Sequence, residues 1–330
     1  MTVMVVGANG QLGSACTRAL LATGQRVRAT VRDVARCAEL RALGAEEVLL
    51  DVTDAEQRRR AVGGVDVIIL SANAVAPRAG DDPELFDRGL ADLVSDAVDA
   101  GVRRIVMPSV PTSSVDDRVQ PMQAKRDLEE SLLNGSAEAW VLRLPPFMES
   151  WFALVGSSLP LRGEPYATIG RPSPFLQRFR AVTGSLVEDR GIMLVPGPAS
   201  HRHAFISVVD AARACVEAAL GDRPAPSAPI EVAGPEVLSW AQIAGFFSEV
   251  LNRRVRVVST PAPVYATAAK LLAPVAAVPS RTMAMNHFIA IAVSAWTEPG
   301  GGLLDPATMT TARNFLRAKA ALDQRLEAVP

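Results

Sequence analysis

Gly7, Gly10 and Gly13 recur at every third position, directly after the apolar run of residues 3–6. The chemistry this spacing offers is anion binding by bare backbone. A short buried strand that enters a helix through closely spaced glycines is how α/β proteins hold the diphosphate of a dinucleotide. Gly7 allows the tight turn, Gly10 lets the backbone approach the phosphates, and Gly13 lets the next helix pack on the sheet. That helix, residues 11–22, opens with Gln11 and Leu12 and aims its free N–H groups at the phosphates, with Asn9 in the turn before it. The spacing is G-x-x-G-x-x-G, not the commoner G-x-G-x-x-G.

Further candidates sit where strands end. The second strand closes on Val31-Arg32-Asp33. An acid at this end binds the ribose 2′-hydroxyl of NAD, whereas an arginine accommodates the 2′-phosphate of NADP. Arg32 stands where that phosphate goes, with Arg28 and Arg36 nearby, so NADP(H) is expected ahead of NAD(H). Asp33 either weakens this case or caps the next helix. Asp51-Val52 follows the third strand and either hydrogen-bonds the adenine or caps a helix. Ser71-Ala72-Asn73 follows the fourth and either lies beside the cofactor or is a plain loop. Ser109, at the carboxyl edge of the fifth strand, positions a substrate oxygen or is an ordinary loop serine. Tyr166 is a candidate acid. Pro145, Pro146, Phe147 and Met148 line a nicotinamide and substrate pocket or simply pack. His201 and His203 have no cysteine or carboxylate in register, so no metal site is expected. No G-x-S-x-G elbow appears, and no P-loop lysine follows the glycines.

These residues need a sheet to hold them. Strands are expected at 3–6, 26–31, 47–50, 65–70, 104–107 and 139–144, with helices at 11–22, 34–43, 54–62, 83–100 and 125–133. This alternation implies a parallel sheet covered on both faces, with right-handed crossovers: a doubly wound Rossmann fold of the α/β class. After Pro145 the rhythm fails, and 156–191 reads as an irregular excursion or lid. A strand at 204–208, a helix at 209–220 capped by Asp210 or Ser207, a strand at 230–232, a helix at 239–251, a strand at 255–258 and a helical tail follow. The expected domains are 1–155, with 192–229 returning to it, and a smaller, mostly helical C-terminal domain at 230–330.

Composition narrows the function. Of 330 residues, 49% are hydrophobic, enough for a large core, and the net charge of -1 argues against a nucleic-acid surface or a polybasic membrane anchor. Cys16, Cys37 and Cys215 are too few and too scattered for a disulfide framework. The run 3–6 is too short for the core of a secretion signal. Lys270, Pro274, Pro279 and Arg281 break the apolar stretch 261–296 into pieces too short to span a bilayer. A soluble, cytoplasmic protein with a small-molecule substrate is expected; whether chains associate is left open.

Taken together, these segments resemble the NmrA-like, atypical short-chain dehydrogenase/reductase family. The resemblance rests on residues 7–13, on Arg28 to Asp33, and on Leu142-Arg143 followed by Phe147-Met148-Glu149-Ser150. Residues 205–212, and Ala233-Gly234-Pro235-Glu236 with Leu238-Ser239-Trp240, extend it. It implies a Rossmann domain with a small substrate domain over the nicotinamide. It also implies NADPH-dependent reduction of a small apolar quinone, enone or carbonyl compound. Two alternatives stand beside that: a regulator that senses NADP(H) without turnover, and a non-redox epimerase or dehydratase.

Most short-chain dehydrogenases use Y-x-x-x-K, in which the tyrosine gives a proton to the carbonyl oxygen. Here only Tyr166 and Tyr265 occur, neither with a lysine four residues on, and four residues before Lys125 stands Pro121. Lys125 resembles the family's helix-borne lysine, which implies that it holds the nicotinamide ribose or donates the proton. Otherwise it is a surface lysine beside Glu129. Lysine occurs only at 125, 270 and 319, which favours a functional part.

Overall fold

Each apolar run that the alternation assigns to the sheet forms a strand. The computed structural model describes residues 1–73, 81–112, 120–170, 174–291 and 298–327. In chain order come β1 (Thr2–Val6), α1 (Gln11–Ala22), β2 (Arg26–Val31), α2 (Ala38–Ala42), β3 (Glu46–Leu49), α3 (Ala55–Val62) and β4 (Val67–Leu70). Next are α4 (Pro83–Asp99), β5 (Arg104–Ser109), α5 (Gln120–Leu133), β6 (Glu138–Arg143), α6 (Met148–Leu154), α7 (Pro174–Thr183) and α8 (Leu186–Arg190). Then follow β7 (Ile192–Pro196), β8 (Arg202–His203), α9 (Val208–Leu220), β9 (Ile230–Glu231), β10 (Leu238–Ser239) and α10 (Trp240–Val250). The chain ends with β11 (Arg256–Thr260), α11 (Ala262–Leu272), α12 (Ala277–Ile291) and α13 (Ala312–Glu327).

Two compact units divide these elements: Met1–Leu144 with Val209–Val232, and Pro145–Val208 with Ala233–Pro330. In the first, the strand order is β3-β2-β1-β4-β5-β6-β9, parallel throughout. The order reverses between β1 and β4, and ligands bind beyond the carboxyl ends of strands at such a switch point. Met4, Val6, Ile68, Leu70, Ile105 and Met107 share a core with Leu93 of α4 and Leu132 of α5. Their neighbours Val3, Val5, Ile69 and Val106 point to the other face and are equally buried, so both faces are covered. Asp54 caps α3 and Asp82, followed by Pro83, caps α4.

Several local expectations shift. Residues 34–43 split into a 3-10 turn, Val34–Cys37, and the short α2. β5 runs on through Ser109, because Ser109 pairs with Arg143 of β6 and its carbonyl accepts Leu144 N at 3.1 Å. Residues 145–155 and 192–208 fall in the second unit rather than the first. The segment 209–232 belongs to the first, because α9 is capped by it: the buried Arg104 guanidinium donates to the carbonyls of Ala218 at 3.0 Å and Gly221 at 2.7 Å.

The second unit is built on rings. Phe152 meets Phe205, Phe247 and Phe315 edge-on, and His203 lies against Phe205 and Trp240. β7 pairs with β11 in parallel, and β8 with β10 antiparallel. The stretch expected to be irregular carries α7 and α8, and Ile169 and Leu176 pack there on Ala153 and Ala167. No strand forms at the expected 204–208: β8 ends just before it, and a single bridge joins Phe147 to Ile206. The Val208 N–H donates to both carboxylate oxygens of Glu149, at 3.0 and 3.1 Å.

Candidate cofactor and active site

The turn after β1 is built for close approach. Gly7 takes φ +78°, open to glycine at no steric cost, and its carbonyl accepts Gly10 N at 2.9 Å. A Cβ on Gly7 would lie 3.0 Å from the Ala72 Cβ. A Cβ on Gly13 would run into the Gly7 carbonyl and lie 2.6 Å from Ser71 Oγ. Gly10 stands at the N-cap of α1 with no side chain to occupy the helix N-terminus. Asn9 Nδ2 is buried and has no hydrogen-bond partner among the described residues, an amide donor left for a ligand. Gln11 and Leu12 are buried in the first turn of α1. The register Val6 to Leu70 brings this turn level with the end of β4, where Ser71 Oγ donates to Val6 O at 2.7 Å. Asn73 follows on the same loop. A free helix N-terminus, a glycine cradle and an orphaned amide fit a diphosphate.

The end of β2 holds an ion pair. Arg32 Nη1 donates to both carboxylate oxygens of Asp81, at 2.9 and 2.8 Å. The guanidinium lies over the Phe86 ring, 5.9 Å from its centroid. The side chain of Arg36 lies outside what is described. Asp51, at the end of β3, accepts from Thr53 N and Thr53 Oγ1 and so shapes its own turn; the helix cap there is Asp54. Val52 is buried, and its carbonyl accepts from Arg58 at 2.8 Å.

Beyond β5 the polar groups form a buried network. Ser109 Oγ donates to Glu129 Oε1, which also accepts from Arg126. Arg143 Nη2 donates to Glu129 Oε2 at 2.7 Å. Burial alone would raise the Glu129 carboxyl; hydrogen bonds from Arg143 and Ser109 and the charge of Arg126 outweigh it and hold it below its usual value. Lys125 precedes Glu129 by one turn of α5 and is half-buried. Loss of solvation lowers its pKa to about 8, against the carboxylates of Asp87 and Glu129, which favour the charged form. Glu129 is therefore no surface partner of Lys125. Its place in the core comes from Arg143, a strand away, which helix spacing alone does not reveal.

The other expected residues belong to the second unit. Pro145 is buried, and Phe147 precedes α6 as its N-cap. Tyr166 is half-buried in a turn between Leu159–Leu161 and Thr168–Gly170. Glu149 is buried, and desolvation raises its pKa to about 7, opposed by the Val208 N–H. His203 is buried beside two rings, and desolvation, with His201 adding to it, lowers its pKa to about 4. Among the described residues no three His, Cys, Asp or Glu side chains gather as a metal would need, and no helix is long and apolar enough to cross a membrane.

This is the geometry of a dinucleotide-binding Rossmann domain, and residues 7–144 match the NAD(P)H-binding family model. In fold the chain is similar to NmrA, and residues 7–144 form its NAD(P)H-binding segment. A double mutant of NmrA superposes with a TM-score of 0.68 at 16% identity, over 100% of this chain and 98% of that one. The NAD(P)H azoreductase of Xenophilus azovorans is 26% identical over 78% of this chain and 76% of its own length. Sterol demethylase protein B of Methylococcus capsulatus is 42% identical over 112 residues, 33% of this chain and 34% of that protein, so this match spans about a third of that relative.

Proposed function

We propose that the protein is an NAD(P)H-dependent reductase that prefers NADPH and acts on a small, apolar, conjugated acceptor such as a quinone, an enone or an azo compound. The observation that carries this reading is the cradle at the β1–β4 switch point, where Gly7 and Gly13 leave room that any Cβ would fill. The similarity to an NAD(P)H azoreductase over most of the chain supports it.

When bound, a reduced nicotinamide supplies the hydride. The chain's residues do the rest. Asn9 Nδ2 and the first N–H groups of α1, from Gln11 to Gly13, bind the diphosphate. Arg32 pairs with the 2′-phosphate. Asp51 and Val52 border the adenine, and the backbone of Ser71, Ala72 and Asn73 lies along the cofactor. Lys125, with a pKa of about 8, is charged at neutral pH yet gives up its proton readily, so it delivers the proton that accompanies the hydride. Ser109 has committed its own proton to Glu129 and offers only lone pairs, so it accepts a hydrogen bond from substrate or water. A conjugated acceptor needs the least acid assistance, which suits a site without the tyrosine of Y-x-x-x-K.

Turnover settles this reading. Mixed with NADPH and a panel of quinones, enones and azo dyes, the protein is expected to consume reduced nicotinamide, and Lys125→Ala to slow that consumption. The missing tyrosine supports a second reading, a nucleotide-sensing regulator; tight NADPH binding with no turnover on any acceptor would favour it.

A further inference from the structure

We propose that Asp81 sets the balance between NADPH and NADH by competing with the 2′-phosphate for Arg32. The inference rests on the cofactor reading above and extends it to a residue 49 positions away in sequence.

Arg32 follows the last residue of β2, the end of the strand where an adenosine ribose is read. Its guanidinium is already engaged. One nitrogen, Nη1, donates to both oxygens of Asp81, and the two side chains are 27% and 24% exposed. Partial burial leaves the pair less screened than a surface salt bridge. The Phe86 ring beneath the guanidinium fixes its plane. Asp81 directly precedes Asp82, whose carboxylate caps α4 by accepting Glu84 N and Leu85 N.

The two cofactors meet this pair differently. NADPH brings a phosphate of up to two negative charges to the guanidinium. It must share the guanidinium with a carboxylate of the same sign that stays within a few ångströms. Part of the attraction from Arg32 is thereby offset. NADH brings a neutral hydroxyl instead. The ion pair stays intact, and a carboxylate oxygen can accept the hydroxyl proton, as the acid at this end of β2 does in NAD-binding folds. Arg32 therefore pulls towards NADPH and Asp81 towards NADH. The pair tempers the preference that Arg32 alone would impose.

Calorimetric titration of NADPH and NADH into the wild type, Asp81→Asn, Arg32→Ala and the double variant tests this. Asparagine keeps the shape and a hydrogen bond to Arg32, and a thermal melt checks that each variant is folded. Asp81→Asn is expected to tighten NADPH by about tenfold while NADH stays the same or weakens. Arg32→Ala is expected to weaken NADPH by about tenfold or more, and in the double variant the gain from Asp81→Asn shrinks to roughly threefold or less. An NADPH-to-NADH affinity ratio that Asp81→Asn leaves within roughly twofold of the wild type overturns the inference, as does a full gain that persists without Arg32. If the folded wild type binds neither nucleotide, the cofactor reading itself fails. If it binds both and the ratio ignores Asp81, only this inference fails.

Discussion

Ser109, the last residue of β5, donates its hydroxyl proton to Glu129, and Glu129 is buried between two arginines rather than paired with the lysine one turn before it. This contact joins the carboxyl edge of the sheet to the helix that carries Lys125. Removing either partner has unequal consequences. Glu129→Gln leaves Arg126 and Arg143 without their counter-charge and is expected to cost ~3 kcal/mol of stability. Ser109→Ala removes one hydrogen bond and is expected to cost ~1 kcal/mol. Urea unfolding of the two variants checks the order; a larger loss for Ser109→Ala contradicts the network.

In the proposed mechanism, Lys125 gives the reaction a pH limit. As proton donor it must be charged, so the rate is expected to fall as pH rises through about 8. Asp87→Asn removes a carboxylate that favours the charged form, and the fall then begins at lower pH. Lys125→Ala is expected to lower the rate by roughly 10²- to 10⁴-fold and abolish the limb. A profile of kcat against pH that is flat to pH ~10, the range of an unperturbed lysine, assigns the proton to another group.

Glu149 makes stability depend on pH. Its folded pKa is raised from 4.5 to about 7. Between those values the folded chain keeps a proton the unfolded chain has lost, so stability falls as pH rises through that window. His203, lowered from 6.5 to about 4, works the other way: the folded chain binds fewer protons there, and stability rises with pH. Glu149→Gln isolates the first effect, because His203 is common to both proteins. The melting temperature of the variant is expected to gain on the wild type between about pH 5 and about pH 8. A constant gap contradicts the assignment.

Gly13 tests the cradle. In a helix interior, alanine usually stabilises by about 0.5–1 kcal/mol relative to glycine. Here its Cβ would press on the Gly7 carbonyl and Ser71 Oγ, so Gly13→Ala is expected to destabilise by ~1–3 kcal/mol and weaken nucleotide binding by about tenfold. Calorimetry and a melt read both effects; a stabilised variant with unchanged affinity contradicts the geometry.

The first unit was largely legible because its signals are local. The apolar run before Gly7 and the glycine spacing place β1 and α1, and the alternation that follows determines a parallel sheet with its crossovers. The second unit was less so, because β8 and β10 have two residues each, too few for a periodic pattern, and β7 lies in a stretch with no alternation of strand and helix to announce it. Separation in sequence hid Asp81. Asp81-Asp82-Pro83 reads as the start of a helix, which Asp82 indeed provides, and nothing near Arg32 announces its partner. Glu129 was misplaced because helix spacing shows Lys125 and Arg126 but not Arg143, which arrives from β6.

The most direct test of hydride transfer uses NADPH carrying deuterium on one face or the other of nicotinamide C4, turned over with the conjugated acceptor that reacts fastest. Oxidised nucleotide that has lost the label from one face only, with slower turnover for that isotopomer, is the expected result. Reduced nucleotide recovered with its label intact, from protein that binds it yet transforms no acceptor on the panel, would contradict a reductase.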